Sequence, residues 1–411
     1  MTPTILVAGT WDTKDAELGY MRDVIVGQGG KVLTMDVSVL GDPSAPTDIS
    51  KHQVAEAAGS SIAAAIAAGN ENTAMQIMAA GSAALAAKLH TERRIQGAVV
   101  LGGSMGTDLA LDLCAALPLG VPKYVVSTIS FSPLIPPGRV PADIQMILWA
   151  GGLYGLNSIC KASLSQAAGA VLGAARAVAL PDGKRPIIAM SGFNSKVVTY
   201  MVALKPALEA RGFEVAVFHG TGMGGRALES LAAQGAFAAV LDLAPQEVAN
   251  HLFGSAISAG EDRLTTAGRL GIPQIVSIGC LDLVDLVGWQ PLPDLFKDTP
   301  AHAHNRLLTT VLQTPDQRRQ VAREVCAKLA TATGPVVFIL PTQGGHCWDL
   351  PGEPLCDPEG LAAFCDEIRK ACPPNVTLIQ LDAHLNDPAF ADATLAQIDQ
   401  WIAAGVLPTP A

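Results

Sequence analysis

Phe218-His219-Gly220-Thr221-Gly222-Met223-Gly224-Gly225-Arg226-Ala227-Leu228-Glu229 joins an alternating apolar run, Phe213 to Phe218, to a segment with helical spacing. Glycines let a backbone approach a neighbour closely or adopt positive φ. Amides at such a strand-to-helix turn lie at the positive end of the helix dipole, a natural seat for phosphate or carboxylate. Two similar turns precede it: Gly9-Thr10-Trp11-Asp12-Thr13-Lys14 after Ile5–Ala8, and Gly102-Gly103-Ser104-Met105-Gly106-Thr107 after Ala98–Leu101. Three such turns, each following a strand, predict a protein that holds an anionic small molecule.

Working outward, runs rich in Val, Ile and Leu alternate with Ala-rich helical stretches along the whole chain, the pattern of parallel sheets covered by helices. The first half predicts strands at 5–8, 31–36, 98–101, 124–127 and 144–148, with helices at 15–28, 51–68, 73–93, 107–116 and 158–179. Strands return at 187–191, 214–218, 238–241, 274–277, 336–340 and 377–381. The polar, twice-proline segment Leu180–Pro186 reads as a linker. The expected architecture is α/β, two doubly wound parallel-sheet domains, residues 1–181 and 186–411, with a cleft between them. Ligands of such sheets sit at strand carboxyl ends, where the strand order switches.

A chain of 411 residues is long enough for two cores. Its formal charge of −10 argues against a nucleic-acid partner, which needs a basic face. Eight scattered cysteines without a Cys-x-x-Cys pair disfavour structural zinc. Met1-Thr2-Pro3 leads straight into a strand, and no apolar run has the length and character of a membrane span. The expectation is a cytoplasmic protein with no membrane partner. Its low charge, 16%, and many alanines also predict a homo-oligomer.

In the first turn, Thr10 and Thr13 offer hydroxyls and Lys14 a mobile charge to a phosphate; capping of the next helix by Asp12 or Thr13 is the plain alternative. The spacing is not that of a Walker loop, and no Gly-x-Gly-x-x-Gly turn with a well-placed acid occurs. The second turn adds Ser104 and Thr107, with Thr128 and Ser130 closing the next strand. In the third, Arg226 either reaches a phosphate or pairs with Glu229 on the same helix face. His219 is read as a base, a donor or a satisfied buried histidine. Cys280 and Asp282 end another strand; Cys280 is either a nucleophile or a small buried residue, and Asp282 a ligand for a cation or hydroxyl. His302-x-His304-Asn305 stands just before an expected helix and reads as substrate contact, cap or part of a metal site. Gly345, His346 and Asp349 sit on a long loop of the kind that usually has a function.

The segment His219–Glu229 resembles the His-Ala-Thr-Gly-x-Gly-Gly-Arg-Ala-Met-Glu hallmark of the Tm-one-like ATP-binding domain family. Gly9-Thr10-x-Asp12-Thr13-Lys14, Gly102-Gly103-Ser104-x-Gly106-Thr107, Ala267-Gly268-x-x-Gly271-Ile272-Pro273-Gln274 and His304-Asn305 are also similar to its pattern. The resemblance covers nearly the whole chain. It implies two Rossmann-like domains, binding of ATP with a divalent cation such as Mg²⁺, and self-association, without implying a reaction. The sequence departs from the pattern at Gly192-Phe193-Asn194-Ser195-Lys196, where members carry a Gly-Val-Thr-Thr-type turn, and at Ile278-Gly279-Cys280-Leu281-Asp282, where they carry Pro-Gly-Ala-Leu-Asp.

The expected function is therefore an ATP-binding enzyme acting on a small polar metabolite. Cofactor contacts are expected from Gly9, Thr10, Asp12, Thr13, Lys14, Gly102, Gly103, Ser104, Gly106, Thr107 and Thr128. The third turn would add Gly220, Thr221, Gly222, Gly224, Gly225 and Arg226. Substrate contacts are expected from Asn194, Cys280, Asp282, Asn305 and Gly345, and proton transfer from His219, His304 or His346. Two alternatives stand beside this reading: an ATP-independent hydrolase or carbon–carbon lyase for a carboxylated or phosphorylated metabolite, and a non-catalytic module controlled by nucleotide.

Overall fold

The apolar runs of both halves become strands buried on both faces, so that odd and even side chains enter different cores. The computed structural model describes residues 2–179 and 183–409; Leu180, Pro181 and Asp182 of the expected linker lie outside the described residues. The chain divides into two units, residues 1–181 and 182–411.

The first unit runs β1 (Thr4–Gly9), α1 (Asp15–Gly27), β2 (Lys31–Asp36), α2 (Lys51–Ala57), α3 (Ile62–Ala67), α4 (Glu71–Thr91), β3 (Gly97–Gly102), α5 (Ser104–Ala115), β4 (Lys123–Ser127), β5 (Ile144–Leu148) and α6 (Ser158–Ala177). Its sheet has the order β2-β1-β3-β4-β5, and every pairing is parallel. Ile5 and Val7 pack with Leu18 and Leu164 on one face, while Leu6 and Ala8 pack with Val54, Met78 and Leu109 on the other. The single helix expected over 51–68 is two. Gly59 takes φ +70°, which ends α2. Ser61 Oγ then accepts the Ala64 N–H and starts α3 afresh.

The second unit runs β6 (Ile187–Gly192), α7 (Tyr200–Ala210), β7 (Glu214–His219), α8 (Met223–Ala233), β8 (Ala239–Asp242), α9 (Glu247–Leu252), α10 (Thr266–Arg269) and β9 (Gln274–Val276). It continues with β10 (Leu283–Val287), β11 (Ala301–Ala303), β12 (Leu308–Leu312), α11 (Pro315–Leu329), β13 (Val336–Pro341), α12 (Pro358–Ala371), β14 (Val376–Leu381) and α13 (Pro388–Ala403). The parallel sheet has the order β7-β6-β8-β9-β13-β14. Counted within its own unit this is the same order as in the first, with one more strand at the far edge. Both units are thus Rossmann-like, and the switch in strand order lies between β1 and β3 in one and between β6 and β8 in the other. The sequence reading missed an antiparallel sheet, β10-β12-β11, inserted after β9.

A buried ionic cluster fixes the turn between β7 and α8. Arg263, fully buried, directs Nε to Glu247 (2.7 Å), Nη2 to Asp242 (2.7 Å) and Nη1 to Glu229 (3.4 Å) and Asp242. Glu247 Oε1 in turn accepts the N–H groups of Gly222 (2.6 Å) and Gly225 (3.0 Å). Burial raises the pKa of Glu229 and of Glu247 despite the guanidinium. A Cβ at Gly225 would lie 1.9 Å from Glu247, and one at Gly224 1.8 Å from the His219 carbonyl oxygen, so these glycines are required by packing. Arg263→Met strands three buried carboxylates and is expected to lose about 3–5 kcal/mol of stability in urea unfolding. Glu247→Gln keeps an acceptor for the glycine amides but turns its NH₂ against the Arg263 Nε–H, and is expected to lose about 2–3 kcal/mol.

Candidate functional site

A cavity of about 650 Å³ in the first unit opens at the switch point between β1 and β3. That is within the range of small-molecule sites, about 300–1,000 Å³. The turn after β1 contributes Thr10, Asp12, Thr13 and Lys14, and the turn after β3 contributes Gly102, Gly103, Ser104 and Gly106. The opposite wall is apolar: Val37 and Val39 after β2, Ile66 of α3 and Met75 of α4. These wall residues were not foreseen, although β2 pairing with β1 brings them there.

Helices α1 and α5 begin at this cavity, and neither has a side-chain cap. The other helices of the unit are capped by Ser50, Ser61, Asn70 and Asn157. The first amides of α1 and α5 therefore keep the donor capacity that capping would consume. The alternative that Asp12 or Thr13 serves as a cap is overturned. Thr10 Oγ1 and Thr13 Oγ1 lie 3.1 Å apart. Asp12 Oδ2 accepts the Gly41 N–H (3.2 Å), while its buried Oδ1 has no hydrogen-bond partner among the described residues.

Some expected contacts have other work. A Cβ at Gly9 would meet the Leu18 methyls at 2.9 Å, so this glycine serves strand–helix packing. Thr107 is buried, donates to the Gly103 carbonyl (2.7 Å) and pairs with Ser127 Oγ. Thr128 donates its N–H to the Gly102 carbonyl, beside the turn. At the end of β2, Asp36 Oδ1 accepts from Trp11 N–H and from Ser38 N–H and Oγ–H, which commits it to the wall.

The third turn is the main correction. Its Gly222 and Gly225 amides are occupied by Glu247, its Gly224 is packed on the β7 backbone, and a Cβ at Gly220 would meet the Phe193 ring at 2.8 Å. Arg226 lies against Gly260. The anion at this helix start is the protein's own carboxylate.

A second, smaller cavity of about 60 Å³ lies at the switch point of the second unit. Asn194 follows β6, His219 ends β7 and Thr221 follows it, Gln246 follows β8 and Cys280 follows β9, while the antiparallel sheet adds Asp285, His304 and Thr310. The two segments that depart from the family pattern thus both line it. His304 leads into a hairpin between β11 and β12, and no helix follows until Pro315. Asn305 Oδ1 closes that hairpin by accepting from Leu307 and Leu308, a structural task. Cys280 holds φ +54°, and burial with Asp282 and Asp285 nearby pushes its thiol well above the usual range. A protonated thiol is a poor nucleophile, so the nucleophilic reading of Cys280 is set aside.

The loop after β13 is held by two histidine–aspartate pairs. His346 Nδ1 accepts the Trp348 N–H (3.2 Å), so in the neutral ring Nε2 carries the proton and donates to Asp282 Oδ2 (3.1 Å). His384 Nδ1 likewise accepts from Asn386, and its Nε2 donates to Asp349 (2.9 Å). Asp349 also accepts the Gly345 N–H (2.6 Å). His346, Asp282 and Asp349 bring potential metal-ligand atoms within 4.8 Å of one another, but a cation would have to displace the Nε2 proton. Through these bonds the loop places Trp348 in the wall of the small cavity, against the His302 ring (4.9 Å between centroids). Asp349, Arg318 and His384 complete this cluster; of these, His384 was legible only as a histidine just past a strand end.

The protein is an α/β protein of two Rossmann-like units, each with a cavity at its switch point. Residues 3–179 match the N-terminal domain, and residues 185–402 the C-terminal domain, of the family described as Uncharacterised protein family (UPF0261). The chain belongs to this family. It is 52% identical to a UPF0261 protein of Brucella melitensis over 406 residues, 99% of this chain and 97% of that protein. A UPF0261 protein of Clostridium tetani is 33% identical over 396 residues, 96% and 97% of the two chains. The ToMV resistance protein Tm-1(GCR237) of Solanum lycopersicum is 30% identical over 312 residues, 74% of this chain and 41% of that protein.

Burial alone would raise the pKa of Asp282, but His346 and Arg318 outweigh it and hold the carboxyl below the usual range. Burial opposes charge on His346, yet Asp282 and Asp349 outweigh it and draw its pKa up. A depressed carboxyl stabilises above its unfolded value and loses that contribution as pH falls; a raised imidazole stabilises below its unfolded value and loses it as pH rises. His346→Asn is therefore expected to be less stable than the parent by about 3 kcal/mol between about pH 4 and 6.5. The gap narrows on either side in urea unfolding measured across pH.

Proposed function

We propose that the protein is a cytoplasmic, homo-oligomeric enzyme whose first unit binds ATP with Mg²⁺ and which acts on a small polar metabolite. The observation that carries this reading is the 650 Å³ cavity set between two helix starts without side-chain caps, polar at the glycine turns and apolar opposite. Adenine fits the wall of Val37, Val39, Ile66 and Met75, and phosphates fit the open amides of α1 and α5. Thr10, Thr13 and Ser104 supply hydroxyls, and Lys14 supplies charge where the phosphates would lie.

Magnesium, when bound, neutralises phosphate charge and keeps several of its waters. The buried, unpartnered Oδ1 of Asp12 fits an acceptor for such a water. Eight cysteines, all as free thiols, suit a reducing compartment. Phe131, Tyr154 and Ile159, 77%, 97% and 71% exposed, are the kind of apolar surface that self-association covers. Among the described residues no helix is long and apolar enough to cross a membrane.

Calorimetric titration with ATP, with and without Mg²⁺, tests the site. Micromolar, magnesium-dependent binding is expected, and Lys14→Ala is expected to weaken it about tenfold, or about 1.4 kcal/mol. Gly103→Val is the decisive variant. A Cβ there comes no closer than 3.8 Å to its nearest neighbour, Thr128 Oγ1, so the protein folds while the cavity is blocked. ATP binding unchanged in Gly103→Val would remove the phosphates from this turn.

A further inference from the structure

The small cavity of the second unit is built like a binding site in its own right. Its floor gathers Gln246, Asp285 and Thr310, each 3% exposed. Thr310 Oγ1 donates to Asp285 Oδ1 (2.6 Å). The Gln246 carboxamide is turned toward Asp285, yet its buried Nε2 reaches hydrogen-bonding geometry with no described residue. Leaving such a donor without an acceptor is costly, about 1–3 kcal/mol, and a ligand oxygen at the floor would remove that cost. Burial raises the Asp285 pKa, and a ligand hydroxyl can donate to its carboxyl oxygen at the floor.

The mouth differs from the floor. His219 and His304 are exposed and both line the cavity, and burial and then His304 hold the His219 pKa below its usual range. Phe193 holds the His219 ring edge-on, with centroids 5.5 Å apart. Asn194 Oδ1 accepts the Lys196 N–H (2.6 Å), which leaves its NH₂ as the donor side. An anion between two imidazoles offsets their mutual repulsion and gives each a charge-assisted hydrogen bond. The volume sets the size: about 60 Å³ accommodates roughly four waters, the bulk of a ligand with about four to six non-hydrogen atoms.

We propose that this cavity binds a small carboxylate bearing a second oxygen on its α carbon, the carboxylate between His219 and His304 and the second oxygen at Gln246 and Asp285. The site is built from the second unit alone and the nucleotide site from the first, and it is tested without nucleotide, so failure here leaves the ATP reading untouched.

Glycolate is the probe, titrated into the full-length protein by calorimetry, with acetate as the comparison lacking the α oxygen. Glycolate is expected to saturate at millimolar concentration or below and to bind at least tenfold tighter than acetate. His219→Asn and His304→Asn, both at exposed positions, are expected to weaken glycolate at least tenfold. Gln246→Leu replaces an unpaired buried amide by an apolar side chain of similar size and is expected to keep its melting temperature while losing the preference for glycolate. Imidazole ¹⁵N signals of His219 and His304 should shift with glycolate and saturate with the heat. Absence of saturation, equal affinity for acetate and glycolate in the parent protein, or indifference to both histidine substitutions would each overturn the proposal.

Discussion

The fold of the second unit depends on one buried guanidinium. Arg263 holds Asp242 at the end of β8, Glu247 at the start of α9 and Glu229 within α8, so three elements share one cation. Glu247 then carries the consequence to the backbone by taking the Gly222 and Gly225 amides. A charge removed from water in this way must be paired and hydrogen-bonded on every side. Glu229 meets that demand by accepting the Leu264 and Thr266 N–H groups as well. The glycines are what allow it, because no Cβ fits between α8 and Glu247 or between α8 and the β7 carbonyls.

Two sheets with one strand order carry different cavities. In the first unit the helix starts at the switch point are open, and α3 and α4 supply an apolar wall some distance away. In the second unit Glu247 fills the start of α8, which follows β7, the counterpart of β2, and the antiparallel sheet brings Asp285, His304 and Thr310 over the strand ends. Topology fixes where a ligand can lie; what occupies the helix dipole and what covers the strand ends decide which ligand chemistry remains.

Much of the fold was legible because apolar runs with buried faces are local signals. The strands over 31–36 and 144–148 have the expected limits. The boundary errors have local causes, as with Gly59, whose positive φ splits an Ala-rich stretch that otherwise reads as one helix. The antiparallel sheet was missed because β11 is three residues long, too short for alternation to register, and its partner β12 lies past a polar hairpin. In the candidate site, the first two turns were legible as strand-to-helix turns, and the helices that follow them start without side-chain caps. The third gave the same signal from the same residue types. Its occupant is a glutamate 22 to 25 residues downstream in a short helix, and no pattern in the turn announces it. A glycine-rich turn reports that an anion is wanted, and only the tertiary structure reports whether the chain supplies one.

The same distinction orders the histidines, which looked equivalent in sequence. His346 and His384 are buried, each with Nδ1 spent on a backbone N–H two residues ahead and Nε2 spent on an aspartate. Both ring nitrogens are therefore committed, and what these side chains do is hold the loop that carries Trp348. His219 and His304 are exposed at the mouth of a cavity whose floor is polar and buried. A group that moves protons or recognises a ligand needs a nitrogen that the fold has not already used. By that criterion the buried pair belongs to the architecture, and the exposed pair keeps the ring nitrogens that the proposed ligand requires.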